Sequence, residues 1–190
     1  GAQVAAYTAS AATEPTDNDG TSDIEELKQI WLDEKHKFHE LREQKALKAK
    51  EHNEARLVYR EKRKAYVTAY RVYRRQYNLL TRLTKKANAA IAAYSRAKNE
   101  RTRQRLYQRA IARLNKQTAQ VAVVNQAADA VNNAAAAYES SDTAYRNALN
   151  EYKSVREALS DQKKVMLEAR RRYLKAKRGA HNNALELRVL

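Results

Sequence analysis

The chain has 190 residues, enough for one domain or one very elongated one, and it holds 3 glycines, 1 proline and no cysteine. So few turn formers exclude a β-sandwich, a barrel or an α/β sheet, and the missing thiol excludes disulfide scaffolds, Cys-ligated zinc, iron–sulfur clusters and thiol catalysis. With 38 Lys and Arg against 22 Asp and Glu the formal charge is +16, which points to a polyanionic partner or an anionic surface.

Residues 1–21 hold two of the glycines and the proline, with small and polar residues and a net charge of −3. A flexible tail is expected there, or one ordered along a neighbouring subunit. The segment lacks a basic stretch followed by an apolar core, and Ala5 stands where a myristoylation pattern needs Ser or Thr. Neither an uncleaved secretory signal nor a lipid anchor is expected. No run approaches 18 apolar residues, so no transmembrane segment is expected either.

Ser22 and Asp23 offer helix-cap chemistry, with Glu25 and Glu26 in the first turn. From Thr21 to Arg178 there is no Gly or Pro, and helix formers dominate. Apolar residues recur every seven: Ile24, Trp31 and Phe38, then polar Lys45 and His52, then Tyr59, Tyr66, Tyr73, Leu80, Ala87 and Tyr94. A second series runs Val124, Val131, Tyr138, Tyr145, Tyr152, Leu159, Met166 and Tyr173. Small or apolar residues follow most of them by three, so large residues at heptad position a face small ones at d. These series are the expected assembly seam, with left-handed supercoiling.

A shift of 79 residues aligns Tyr59 with Tyr138, Tyr66 with Tyr145 and Tyr94 with Tyr173, which suggests two copies of one unit. The copies differ in heptad phase, and Lys98–Arg105 contains no apolar residue. Both features favour a hairpin turn near 98–104 over one straight helix. The expected fold is all-α: an elongated hairpin of long helices, coiled-coil-like, assembling with other subunits. Its parts are the tail 1–21, helical units 22–100 and 101–180, and a short C-terminal tail 181–190. Glu139, Ser140, Ser141 and Asp142 mark a second candidate break.

The charge is segregated. Residues 59–118 carry eighteen bases and only two acids, Glu61 and Glu100. Internal pairing cannot neutralise that block, whereas ordinary helix surfaces mix the signs. In heptad terms Arg60 and Arg74 fall at b, Arg75 and Arg82 at c, and Lys64, Arg71 and Lys85 at f, opposite the tyrosine seam. Arg101, Arg103, Arg105, Arg109 and Arg113 continue the block; Arg170, Arg171, Arg172, Lys175, Lys177 and Arg178 form a second patch. Arginine forks fit phosphate, and a regular row of anions would relieve the mutual repulsion and release counterions.

Other chemistry is sparse. His36 and His39 make a weak metal signal better explained as surface histidines, and His52 sits at a seam position where a polar residue sets register. No phosphate-binding loop, dinucleotide fingerprint or nucleophile elbow is present, so no enzyme, cofactor or metal is expected.

The expectation is a structural protein that self-assembles and coats or packages DNA or RNA through backbone contacts. A viral nucleocapsid or filament subunit, or a nucleoid protein, fits this description and would place the chain in a virion, the cytoplasm or the nucleoid. In architecture the pattern resembles the all-helical coat proteins of filamentous archaeal viruses, which wrap DNA with basic helices; no motif carries over. The alternative is a coiled-coil scaffold or delivery element, such as a phage internal or ejection protein or a toxin stalk, meeting acidic protein or anionic membrane.

Overall fold

A computed structural model of the chain describes residues 22–189; the expected N-terminal tail lies outside them. The described residues form two helices, α1 (Ser22–Arg96) and α2 (Glu100–Val189), packed against each other as an all-α hairpin without strands. Asp23 and Glu25 lie in the first turn of α1 and Arg96 in its last, as the macrodipole favours.

The turn occupies residues 97–99, slightly earlier than the polar run suggested. The Ala97 amide closes a tight bond of 3.2 Å to the Tyr94 carbonyl. Asn99 then caps α2: its Oδ1 accepts from the amides of Arg101 (2.9 Å) and Thr102 (3.4 Å). No glycine is needed, because an asparagine cap supplies the polar partner that a helix start lacks.

Two expected interruptions are absent. The helix passes through Ser140–Ser141–Asp142, where Ser141 Oγ donates to the Tyr138 carbonyl (2.7 Å) and Thr143 Oγ1 to that of Glu139 (3.2 Å). These hydroxyls are satisfied within the helix instead of capping an end. Nor does Gly179 stop α2: residues 181–189, expected as a tail, continue the helix to Val189. A single glycine costs about 1 kcal/mol against alanine, too little to outweigh the helix formers on either side. A Cβ at Gly179 would meet nothing within 4 Å, so close packing does not require the glycine.

The pair divides into two compact units. The first joins α1 up to Ala55 with α2 from Tyr145 onward; the second runs from Arg56 to Ala144 and contains the turn. In both units the seam follows the heptads. Every member of the two series, from Ile24 to Tyr94 and from Val124 to Tyr173, is buried or half-buried. The deepest positions are mostly small: Ala87 is 0% exposed, and Ala90, Ala110, Ala127 and Ala169 are buried with Leu41, Val124, Val155 and Tyr173. Alanine lets the helix axes approach closely, while the tyrosine rings lie half-covered along the seam.

Ring contacts fill the first unit's seam. Trp31 stacks on Tyr173 (centroids 5.7 Å, 12° between planes), with Lys35 over the indole and Lys177 over the phenol. The His52 ring lies against Tyr145 (5.2 Å) and Tyr152 (6.1 Å), and its buried Nε2 has no hydrogen-bond partner among the described residues. In the second unit the Tyr59 and Tyr138 hydroxyls share a 3.0 Å hydrogen bond, and Tyr66 stacks on Tyr138 at 5.8 Å.

Polar pairs fix the register. In the second unit Gln120 Nε2 donates to the Gln76 carbonyl (3.0 Å) and to Gln76 Oε1 (2.8 Å). In the first unit Gln162 Nε2 makes the same two bonds to Glu34, one to its carbonyl (3.0 Å) and one to its carboxylate. Gln120, Gln162 and Glu34 are all buried. Sliding one helix by a heptad would set Gln120 against Ala69 or Leu83, and Gln162 against Leu27 or Leu41. Each glutamine would then be buried without a partner, at about 1–3 kcal/mol apiece. Lys48 adds a third polar tie, reaching Glu151 (3.0 Å) and Glu51 (3.1 Å).

Candidate nucleic-acid interface

The charge excess belongs to one unit. Between residues 56 and 144 the chain carries nineteen bases against five acids. The heptad seam dictates where they point: once Tyr59, Tyr66, Tyr73 and Leu80 turn toward α2, positions b, c and f must turn to water. Arg60, Lys64, Arg71, Arg74, Arg75, Arg82 and Lys85 are all exposed, and none joins an ion pair among the described residues. At 1.5 Å per residue they line about 37 Å of helix.

Aromatic side chains border this stripe. Tyr70 and Tyr77, at heptad position e between seam and stripe, are 45% and 51% exposed. Their rings continue a ladder with Tyr66 and Tyr73, at centroid spacings of 6.1–6.5 Å. Val58 and Val72 at position g are also exposed on the other flank. The apolar band is therefore wider than the hairpin covers.

On α2, Arg101, Arg103, Arg105 and Arg109 are exposed, while Arg113 is half-buried beside the seam. The Arg103 guanidinium rests over the Tyr94 ring at 5.2 Å, so it is placed rather than free to wander.

The second patch differs. Arg170, Lys175, Lys177 and Arg178 are exposed, but Arg171 and Arg172 both pair with Glu168, Arg172 at 3.4 Å. This carboxylate partly neutralises the patch, and Lys177 is engaged over Tyr173 at 6.0 Å.

The seam residues Trp31, Phe38, Tyr59, Tyr66, Tyr73, Leu80, Tyr94, Tyr138, Tyr145, Tyr152, Leu159 and Met166 are half-buried and Tyr173 is buried, so they lie along the packed face and not on the basic stripe. His36 Nε2 lies 3.0 Å from Glu40 at the surface, and His39 meets Phe38 edge-on. Among the described residues no group of three or more His, Asp or Glu is arranged to hold a metal ion, and no helix is long and apolar enough to cross a membrane.

Sequence reasoning missed Tyr107, which is 46% exposed within the basic block, and the glutamine pairs. Tyr107 carries a faint signal, four residues after Arg103 and off the seven-residue series. Gln120 and Gln162 fall at d positions, but only their cross-helix partners show what they do. Compared with known proteins, the chain matches no family model, no curated protein and no solved structure.

Proposed function

We propose that the chain is a polyanion-binding helical hairpin and, more specifically, a structural subunit that coats nucleic acid through its phosphates. One observation carries the reading: seven exposed cations without carboxylate partners among the described residues, on one face of a unit with nineteen bases and five acids. Crowding them raises the free energy of the isolated protein, and a phosphate row relieves it while releasing condensed counterions. Five of the seven are arginines, which match phosphate oxygens in a fork. The arrangement suits contact with the backbone rather than base edges, so sequence tolerance is expected.

The apolar flanks at Val58, Val72, Tyr70 and Tyr77 support assembly of several hairpins along the polymer. The reading includes no catalytic step. Gel retention with DNA and RNA across a salt series, with light scattering for particle mass, tests it. Binding that is sequence-tolerant and falls steeply with salt is expected. No retention on either polymer at low salt would overturn it, and sedimentation with anionic liposomes in that case would favour a membrane-facing scaffold.

A further inference from the structure

A cavity of about 710 Å³ opens at the hairpin turn, lined by Tyr94, Glu100, Arg101, Arg103, Arg105 and Tyr107 among others, all within the second unit. It is an open groove rather than an enclosed pocket, wide enough to admit a nucleotide from solvent. Three cations face one acid there, and Glu100 pairs with none of them among the described residues. The first amides of α2 are already taken by the Asn99 side chain, so recognition of a ligand falls to side chains.

The aromatic geometry is specific. Tyr94 and Tyr107 have ring centroids 5.6 Å apart but planes inclined by 55°, so the pair is splayed rather than closed. Arg103 covers a face of Tyr94. Tyr107 remains 46% exposed, whereas Tyr94, the last member of the first seven-residue series, is half-buried. The cavity thus offers one flat aromatic surface still open to a ligand, beside guanidinium groups that no carboxylate among the described residues neutralises.

We propose that this cavity receives an unpaired nucleotide, its base stacked on Tyr107 and its phosphates held by Arg101 and Arg105. Every base has a π-face, so such a contact tolerates any sequence. Duplex DNA keeps its base faces covered and engages only the cations. The inference rests on the polyanion reading and adds to it a preference for single strands at the turn.

The test measures binding of the full chain to a dT12 oligonucleotide, a 12-base-pair duplex and heparin, for wild type, Tyr107→Ala and Tyr107→Phe. Tyr107→Ala should weaken dT12 binding roughly tenfold, leave duplex and heparin within about twofold, and retain helical circular dichroism. Tyr107→Phe keeps the ring and should bind dT12 like wild type. Displacement of dT12 by dTMP from wild type identifies a free nucleotide as a sufficient ligand; failure of dTMP to displace it assigns the site to the strand. Either result stands with the proposal if the Tyr107→Ala loss is seen. Unchanged dT12 affinity in Tyr107→Ala, or an equal loss on duplex and heparin, would overturn the inference while leaving the basic stripe intact. A wild-type chain that binds none of the three polyanions would remove the functional reading and this site with it.

Discussion

Replacing Lys64, Arg71, Arg74 and Arg75 with Gln removes four exposed charges, in no ion pair among the described residues, from about 16 Å of α1. Duplex DNA presents a phosphate charge about every 1.7 Å of axis, so this stretch has enough anions for all four cations at once. Each phosphate contact contributes about 0.9 to the slope of log affinity against log salt. Losing four lowers the slope by up to about 3.6. Between 50 and 200 mM salt each contact costs the wild type about 3.5-fold, hence roughly 150-fold more in total than the variant suffers. The assay is fluorescence anisotropy on duplexes of unrelated sequence at four or more salt concentrations. The variant should weaken on all of them alike. Its urea midpoint should hold or rise, because the substitutions touch no seam residue and relieve like-charge repulsion. An unchanged slope with unchanged affinity would refute the stripe as the site of contact.

The two glutamine pairs should differ in cost. Gln162→Leu strands the buried Glu34 carboxylate with Lys37 as its remaining donor (3.2 Å), and should destabilise by about 1–3 kcal/mol in urea melts, more than Gln120→Leu; equal costs would argue against a charged clamp. Ala87→Leu inserts bulk where nothing is exposed, and should cost about 1–3 kcal/mol by the same measurement, whereas Ala89→Leu on the exposed face should cost far less. Stability should fall in alkali. The Glu151 and Glu51 carboxylates hold the Lys48 pKa above its ordinary value, and the Tyr59 hydrogen bond, aided by burial, raises that of Tyr138. Both folded groups grip their protons more tightly than the unfolded chain, so their contribution is whole below about pH 10 and vanishes as pH climbs through the raised values. Melting temperatures recorded from pH 8 to 12 should show the fall, and Lys48→Met should make it shallower.

Legibility in the sequence followed periodicity. The seam was readable because residues such as Tyr59, Tyr66 and Tyr73 repeat every seven, and helix geometry leaves them one face to occupy. The basic face followed as its complement: Arg60, Arg74 and Arg75 had nowhere else to go. Features set by one long-range contact were not readable. Gln76 and Gln120 are forty-four residues apart and look like ordinary polar helix residues until the antiparallel pairing brings them together. Helix ends were blurred for a different reason. Gly179 and the Ser140–Ser141–Asp142 run carry terminating propensities of only about 1 kcal/mol or less, which flanking helix formers override. The turn at 97–99 was approachable because Lys98–Arg105 lacks any apolar anchor, yet its capping residue, Asn99, gave no stronger signal than many other asparagines.

Each unit carries its own clamp, Gln162 on Glu34 in the first and Gln120 on Gln76 in the second. Within a unit the clamp works like a notch cut in both rails: seven residues added to one helix alone set the glutamine against an alanine or a leucine, at about 1–3 kcal/mol for the stranded amide. An insertion on one helix of a unit must therefore be answered by an equal one on the facing helix, so each half of the chain can change length only in matched heptad steps.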